Sequence, residues 1–394
     1  MLPLKDLKVL DLTRVLAGPY ATMILADMGA DVLKIEMPKT GDDSRAFGPF
    51  IGGESAYFMS INRNKRSMTL NLKSGEGKKI FTNLVKDADI VVENYRPGTM
   101  EKFGLGYEEI RKINDKVIYA ACSGFGHTGP YARKPAYDAI VQAMGGIMSI
   151  TGQEGGEPTR VGASVGDIIA GIFTVTGILT ALYNREKTGK GQKVDVAMLD
   201  CQVAVLENAI ARYFISGENP KPIGNRHPSI TPFESFATKD GQIMIAIGND
   251  KLWAQFCKLT NKEDLIEDER FVTNGLRTEN HKEIKEIVSE ILAKESTAYW
   301  IDLFDKEDIP ATEINKIDKV VSNKQVLARD MIVEVDHPVA GAFKMAGIPI
   351  KLSDTPGSIR TAAPILGEHT KEILGDKLGY TAEEISVLRE KGVI

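Results

Sequence analysis

An aspartate in front of a long apolar stretch is the first candidate for chemistry. Asp167 ends the small-residue segment Gly162–Asp167, and residues 168–183 are largely apolar. If a helix begins here, its N-terminus would keep the carboxylate ionised, and an ionised carboxylate can attack an activated acyl group. The alternative is that Asp167 is a helix N-cap, a position that favours Asp. Spacing alone favours the N-cap.

Two loops offer further polar groups. Asn62–Arg66 carries three cations within four residues and could hold phosphates, the alternative being a solvated turn. Asn225–Ser229 contains His227, a candidate general base, although a lone loop histidine more often has no catalytic role.

The segment Asp11–Pro19 runs from an apolar stretch into a small-residue turn, which is where nucleotide-binding folds place their ligand. Glu36, at the end of the next apolar run, would suit a dinucleotide ribose. However, no GxGxxG motif is present and Pro19 stands at the expected helix start. NAD binding is therefore disfavoured.

Composition narrows the class of protein. The net charge of −5 is spread along 394 residues without a basic stripe, which argues against nucleic acid. The three cysteines are far apart, which argues against disulfides and zinc and fits a reducing cytoplasm. The N-terminus lacks the pattern of a signal peptide, and residues 168–183 are fewer than the roughly 20 that a membrane span needs. These features predict a cytoplasmic protein with no metal and no membrane contact.

Apolar runs alternating with helical stretches must position these groups. Such runs indicate a parallel sheet covered on both faces, whose ligands bind beyond the carboxyl ends of the strands. The loops 13–19, 93–98 and 123–130 leave those ends. The predicted strands are Lys8–Leu12, Asp31–Glu36, Ser67–Leu72, Asp89–Glu93, Val117–Cys122 and Lys193–Ala197, with helices near 19–28, 75–85, 167–185 and 199–216.

The character of the sequence changes near Phe233. A hairpin is predicted over Phe236–Ala246, helices rich in Glu and Lys follow, and strand-like runs return between 332 and 351. We therefore predict an α/β chain of two domains. The large domain comprises 1–200 and 330–394, a smaller α+β domain comprises 225–325, and 201–224 and 326–329 are linkers.

The chain resembles the class III CoA-transferases, the CaiB/BaiF family that includes formyl-CoA transferase. The resemblance runs nearly end to end and is specific because many segments carry it together. These segments are Val9–Ala21, Gly29–Glu36, Asn62–Lys78, Val91–Tyr107, Ser123–Tyr131, Pro135–Gly146, Gly166–Gly171, Lys187–Asp200 and Leu366–Thr370.

The resemblance implies a Rossmann-like large domain built from both ends of the chain, a small domain between them, and an interlocked homodimer. It also implies an enzyme that moves CoA from an acyl-CoA to a carboxylic acid, with CoA as substrate and no permanently bound cofactor. Asp167 matches the family's nucleophile. The positions that match CoA contacts are Val15, Ala17, Leu70, Lys73, Asn94, Tyr95, Arg96, Lys102, Lys134 and Tyr137.

Leu16 stands where the acyl acid approaches, and Arg14, Arg63 and Arg226 are candidates for holding an acceptor carboxylate. Met37 replaces an Arg that binds CoA in formyl-CoA transferase, and Lys102 replaces another. Leu16 replaces its oxalate-contacting Gln, and its active-site run of glycines is absent. These departures put formate and oxalate in doubt as substrates.

Related α-methylacyl-CoA racemases have a His directly before a second Asp, where this chain has Tyr137-Asp138. Without that His, proton exchange at the α-carbon lacks a partner, so transfer is favoured over racemisation. A CoA-binding protein without catalysis is a further alternative. The segments LTRVLAGP and VENYRPG most resemble the branch of the family that uses succinyl-CoA and dicarboxylic acids.

Overall fold

A parallel six-stranded sheet forms the centre of the fold in a computed structural model that describes residues 1–394. Its strands lie in the order β5-β2-β1-β6-β7-β8. The strands of the chain are β1 (Lys8–Asp11), β2 (Asp31–Glu36), β3 (Phe50–Ile51), β4 (Glu54–Ser55), β5 (Lys65–Thr69), β6 (Ile90–Glu93), β7 (Ile118–Ser123), β8 (Lys193–Ala197), β9 (Phe233–Ala237), β10 (Gln242–Ala246), β11 (Ala311–Glu313), β12 (Ile332–His337) and β13 (Gly341–Ala346).

All six predicted strands of this sheet are present. β2 and β8 have the predicted bounds, and β5 begins earlier and ends earlier than expected. The early start has a physical reason: Lys65, a polar residue that the apolar pattern left out, is buried and ion-paired inside the sheet. Every neighbouring pair of strands is parallel.

The strand order has a reversal that matters for ligand binding. Counted along the chain, the six strands lie in the order 3-2-1-4-5-6 of a Rossmann fold. The order reverses between β1 and β6, whose register pairs Leu10 with Val91. In open α/β sheets, ligands bind beyond the carboxyl ends of the strands at this point.

Helices cover both faces of the sheet. The helices are α1 (Ala17–Asp27), α2 (Ala56–Ile61), α3 (Gly75–Val85), α4 (Thr99–Phe103), α5 (Tyr107–Ile113), α6 (Asp138–Met144), α7 (Ile147–Ile150), α8 (Val165–Thr188), α9 (Met198–Val205), α10 (Asn208–Ser216), α11 (Asp250–Leu259), α12 (Asn274–Glu279), α13 (His281–Leu292), α14 (Thr297–Asp305), α15 (Ile317–Ser322), α16 (Lys324–Ala328), α17 (Thr370–Glu372) and α18 (Ala382–Glu390). Short 3₁₀ turns occur at Asp43–Ala46 and Glu263–Leu265, and a π-helical turn at Ile373–Lys377.

Alternation along the strands divides the core into two layers. Leu10, Leu33 and Val91 point to one face, where they pack with residues of α3, α5 and the C-terminal helices. Their neighbours Val9 and Val32 point to the other face, where α1 and α8 pack. The last residues of the chain therefore belong to the same core as the first strand.

The long helix α8 is the element that carries Asp167. It spans 24 residues, and its apolar window has a mean hydropathy of 1.9. The expectation that this stretch is too short for a membrane span is therefore wrong. The interior helix of a soluble protein passes the same test of length and composition, and α8 packs against α1, α9, β7 and β8.

The chain divides into two compact units. One unit comprises 1–148, 160–218 and 325–394, and the other comprises 149–159 and 219–324. The second unit contains the antiparallel sheet β11-β10-β9 and its own core around Trp253, Phe256 and Trp300. The stretch 201–224, assigned above to a linker, carries most of α9 and all of α10. The returning strands β12 and β13 pair with each other and do not extend the six-stranded sheet.

Candidate active site

A cavity opens where the strand order reverses. Its walls are the loops after β1, β6 and β7, residues 132–137, and the first turn of α8. It brings together ten of the residues singled out from the sequence, namely Arg14, Val15, Leu16, Ala17, Asn94, Tyr95, Arg96, Lys134, Tyr137 and Asp167. The remaining lining includes Asp43, Cys122, Ser123 and Met198.

A second cavity adjoins the first, and Arg14, Asp43 and Tyr95 line both. It contains two more of the predicted residues, Leu70 and Lys73. Met37, the residue that replaces a family Arg, also lines it. Together the two cavities form a continuous polar and apolar surface across the carboxyl ends of β1, β2 and β6.

Four predicted residues do not line either cavity, namely Arg63, Lys102, Arg226 and His227. Lys102 is exposed on α4 and lines neither cavity. Arg226 and His227 belong to the second compact unit, and the His227 ring stacks on Phe233 with its centroid 5.4 Å away.

Arg63 cannot hold an acceptor carboxylate because its guanidinium is buried and already engaged. It donates to both oxygens of Asp27 and to the carbonyl of Ala346. The hypothesis that Asn62–Arg66 is a phosphate loop is wrong, and so is the alternative of a solvated turn. Residues 62–65 are all buried, and Lys65 donates to Asp11 at 3.1 Å.

Asp167 is the third residue of α8, and it is not the N-cap that spacing alone favoured. Ser164 occupies the N-cap position and makes no capping side-chain hydrogen bond. The Gly166 N–H instead donates to the Asp138 carboxylate at 2.9 Å. The carboxylate of Asp167 accepts no hydrogen bond within the chain and faces the cavity.

The surroundings of Asp167 favour its neutral form more than the sequence suggested. Burial, and secondly the negative charge of Asp138, raise the pKa of Asp167 to about 7. The expectation that the helix N-terminus would keep this carboxylate fully ionised is therefore corrected. A group with a pKa near neutrality is present in both forms at physiological pH, as is usual for a reactive side chain.

The loop after β1 is held in an unusual backbone conformation. Val15 has a φ of 66°, which is strained for a β-branched residue. Its N–H donates to the Asp42 carboxylate at 3.0 Å, and Asp42 is ion-paired to Lys34 at 2.8 Å. The buried pair fixes the strained loop against the cavity.

Asn94 joins the two loops that flank the switch point. Its side-chain oxygen accepts from the Arg14 N–H at 2.8 Å, and its side-chain amide donates to the Arg14 carbonyl at 2.7 Å. This amide is thus occupied in shaping the cavity wall. The Arg14 side chain pairs with Asp43 at 3.0 Å and lies over the Tyr95 ring.

The other two cations of the cavity have no carboxylate partner in the chain. Lys134 lies over the Tyr131 ring at 3.8 Å, and Arg96 is exposed without an ion pair. They leave positive charge near Asp167 for an anionic ligand.

Glu36 does not fit a dinucleotide site. Its two oxygens accept from the Arg45 guanidinium at 2.7 and 2.9 Å, and one also accepts from the Ser67 hydroxyl. The NAD alternative therefore loses its ribose ligand. No group of three or more His, Cys, Asp or Glu side chains is arranged to hold a metal ion.

Sequence reasoning missed two residues that shape the site. Asp138 entered only as a contrast with racemases, and Asp42 was not considered. Asp138 meets a partner 28 residues away and Asp42 meets one 27 residues away. Helical or strand periodicity does not reveal contacts at such separations. The signal available for Asp138 was its place directly after Tyr137 in a recognised motif.

Fold and cavity define a Rossmann-type α/β protein with an unpartnered carboxylate at its switch point. The model of CoA-transferase family III matches residues 4–370 of this chain. The chain therefore belongs to CoA-transferase family III and is an enzyme of the transferase class.

The chain is similar to proteins that cover 93% or more of its length. It is 43% identical over 395 residues to succinyl-CoA:glutarate CoA-transferase of Mus musculus, covering 100% of this chain and 91% of that protein. It is 43% identical over 369 residues to acetyl-CoA:oxalate CoA-transferase of Acetobacter aceti, covering 93% of each. The crystal structure of a CAIB/BAIF family protein from Brucella suis superposes with a TM-score of 0.84 at 38% identity, covering 95% of this chain and 99% of that one.

Proposed function

We propose that this enzyme transfers CoA from succinyl-CoA to a dicarboxylic acid such as glutarate, through a covalent intermediate on Asp167. Both relatives described above are named for a CoA thioester paired with a dicarboxylic acid. The donor and acceptor are chosen from the relative that spans the whole chain. Leu16, an apolar residue in the cavity, favours an acceptor with a carbon chain over oxalate.

The proposed reaction begins when a carboxylate oxygen of Asp167 attacks the thioester carbon. A C–O bond forms and the C–S bond breaks, which gives a mixed anhydride and CoA thiolate. The thiolate then attacks the Asp167 acyl carbon, which releases succinate and leaves an aspartyl-CoA thioester. The acceptor carboxylate attacks this thioester, and the thiolate attacks the resulting anhydride at the acceptor carbon. The products are the new acyl-CoA and free Asp167.

The cavity has groups suited to the charges in this sequence. α1 begins at the cavity, and no side chain caps it, so its first-turn N–H groups are available to an oxyanion or phosphate. Arg96 and Lys134 can hold a substrate carboxylate or CoA phosphates. Lys73, in the adjoining cavity, supplies a further cation for CoA.

One observation carries the proposal: the Asp167 carboxylate faces the cavity without a hydrogen-bond donor and has a pKa near 7. A carboxylate that serves only as a structural group would be paired. Here it lies among residues that match CoA contacts of the family.

The test is to trap the intermediate. The enzyme is incubated with succinyl-CoA without acceptor, treated with hydroxylamine, and digested for peptide mass spectrometry. We expect the modification on Asp167, and none in Asp167→Asn.

Asp43 provides a matched control because it lines the same cavity but pairs with Arg14. In Asp43→Asn the modification should still map to Asp167. Transfer that continues without any adduct on Asp167 would refute the proposed mechanism.

The substrates are tested separately. Succinyl-CoA and acetyl-CoA are offered as donors against glutarate, succinate and oxalate, and the CoA products are read by mass spectrometry. We expect the highest kcat/KM for succinyl-CoA with glutarate. Faster transfer from acetyl-CoA to oxalate would overturn this choice and leave the Asp167 intermediate in place.

We also propose that the enzyme is a homodimer, as the family resemblance implies. Large apolar side chains are exposed on α8 and α10, including Phe173, Phe214 and Ile215, and a second copy of the chain would cover them. Light scattering after size-exclusion chromatography should give twice the 43.1 kDa chain mass. A monomer, or sedimentation with phospholipid vesicles, would contradict this proposal.

A further inference from the structure

Asp138 is a buried carboxylate at the first residue of α6, and three donors surround it. One oxygen accepts from the Gly166 N–H at 2.9 Å, and the other accepts from the Gln142 side-chain amide at 2.8 Å and from Arg160 at 3.3 Å. Its exposed fraction is 8%. Asp138 therefore accepts from an N–H in the first turn of α8, a capping role that the N-cap residue Ser164 does not fill.

Gln142 strengthens the same connection. It is fully buried one turn after Asp138, and its side-chain oxygen accepts from the Val161 N–H at 2.9 Å. The segment 160–166 is thus tied to α6 at both of its ends. The second tie ends one residue before Asp167.

The close approach depends on a glycine. A Cβ at position 166 would lie 2.8 Å from Val141 Cγ2 and 3.0 Å from the Asp138 oxygen. Only glycine lets α6 approach the first turn of α8 this closely. The Asp138 carboxylate consequently lies against Gly166, the residue directly before Asp167 in α8.

We propose that Asp138 is a positioning residue for CoA transfer: it fixes the first turn of α8 through the Gly166 N–H and places a negative charge behind Asp167. This inference rests on the proposed function, because it concerns the reactivity of the Asp167 carboxylate. It extends that function by naming a charged group that, together with burial, influences when Asp167 loses its proton. Asp138 touches neither substrate nor CoA in this role.

The charge of Asp138 acts in a defined direction. After burial, it is the cause that raises the pKa of Asp167. Arg160, whose side chain is about half exposed, lies beside Asp138 and partly offsets its charge. Removing Asp138's charge should therefore lower the pKa of Asp167, and removing Arg160's charge should raise it.

Other ionisable groups near Asp167 are retained in both variants, although the charge of Asp138 also contributes to raising the pKa of Tyr57. The charge of Asp167 contributes to raising the pKa of Tyr57 and of Cys122, so both lie within its electrostatic reach. The other ionisable groups that line the cavity are Arg14, Asp43, Tyr95, Arg96, Lys134 and Tyr137. Because they are common to all variants, a difference between variants reports Asp138 and Arg160.

The test measures the rate of adduct formation on Asp167 against pH in a single turnover with succinyl-CoA, read by intact and peptide mass spectrometry. The wild-type rate should rise with pH as Asp167 ionises, and this rise forms a limb of the pH–rate profile centred near pH 7. Asp138→Asn should move this limb to lower pH by about one unit. Arg160→Met should move it up by about 0.3 of a unit, since the cation is half exposed.

Opposite shifts separate an electrostatic role from simple damage to the fold. An Asn oxygen can still accept from the Gly166 N–H, but its NH₂ would face the donors of Gln142 and Arg160, so some loss of rate is expected at every pH. A uniform loss with the limb in place in both variants would overturn the inference. If Asp138→Asn does not fold, the upward shift in Arg160→Met decides the question, and no shift there would overturn it.

The same experiment distinguishes the two proposals. If the adduct forms on Asp167 and the pH limb of its rate is the same in wild type and both variants, the proposed function stands. Only the role of Asp138 is then refuted. Absence of an adduct on Asp167 in the wild-type enzyme removes the proposed function and this inference together.

Discussion

Asp11 and Asp167 are two aspartates at the same edge of the sheet, and their surroundings are opposite. Asp11 is fully buried and accepts from the Thr13 N–H, from the hydroxyls of Thr13 and Thr22, and from Lys65. Asp167 is partly exposed and accepts from no group of the chain. One carboxylate is saturated by the protein, and the other is left for a ligand.

The proton affinities follow the same division. Burial alone would raise the pKa of Asp11, but the charges of Lys65 and Lys34 and the hydroxyl donors lower it below its ordinary value. At Asp167 nothing opposes burial, and the charge of Asp138 adds to it, so the pKa rises to about 7. Saturation by donors and cations, rather than burial, therefore separates Asp11 from Asp167, the proposed nucleophile.

The largest effect should come from removing the reactive carboxylate. Asp167→Asn keeps the size of the side chain but cannot form the acyl intermediate, so kcat should fall by about 10⁴-fold or more. The measurement is steady-state transfer from succinyl-CoA to glutarate. Activity within tenfold of wild type would place the nucleophile elsewhere.

The next effect concerns the saturated carboxylate and is one of stability. Lys65→Met removes the buried cation that pairs with Asp11 and leaves that buried carboxylate without its ion-pair partner, which should lower the free energy of unfolding by about 3–5 kcal/mol. Urea unfolding followed by circular dichroism measures this loss. Lys8→Met is the control, because it breaks an exposed pair with Asp87 and should cost less than about 1 kcal/mol. Equal losses in the two variants would mean that the buried pair stabilises the fold no more than the exposed pair does.

The sequence singled out Asp167 as the candidate nucleophile but did not identify the saturated carboxylates. Apolar runs predicted the central strands β1, β2, β6 and β7 because each is buried on both faces, and the loops after β1, β6 and β7 were therefore placed correctly at one edge. Asp167, which lines the cavity, could be singled out because a family motif surrounds it. The most distant partners of Asp11, Asp42 and Asp138 lie 54, 27 and 28 residues away, and no local pattern encodes those contacts.

The error at Asn62–Arg66 has the same origin. Counting charges in that segment suggests a solvated or ligand-binding loop, since isolated cations are rarely buried. Their carboxylate partners, Asp27 and Asp11, come from distant segments that the fold brings beside them. Once paired, the cations become part of the interior and cease to be available to a ligand.

The third prediction is that Asp167→Asn, unlike most substitutions, increases the free energy of unfolding at high pH. The folded state binds the Asp167 proton more tightly than the unfolded chain does, so this group costs stability as pH rises from about 4 towards 7, and the full cost remains above 7. Asp167→Asn lacks the charge and avoids that cost. Because the site is partly exposed to water, we expect a gain of about 2 kcal/mol at pH 8.

Urea unfolding of wild type and Asp167→Asn at pH 4 and pH 8 checks this sign. The difference between the proteins should be small at pH 4 and should appear by pH 8. A difference that is the same at both pH values would mean that Asp167 is not held near neutrality. The contrast with Asp11 would then lose its electrostatic basis.

The smallest expected effect extends the contrast to cations. Lys65 is saturated inside the protein, whereas Lys73 is exposed, has no ion pair in the chain and lines the cavity that adjoins the one containing Asp167. Lys73→Ala should raise KM for succinyl-CoA about fivefold with little change in kcat, as expected for an exposed cation worth about 1 kcal/mol to a phosphate. Lys102→Ala is the matched control, since that lysine is equally exposed but lies outside both cavities, and KM should change less than about twofold. A larger effect at Lys102 than at Lys73 would show that CoA lies along α4. Leu70 and Lys73 would then not be CoA contacts.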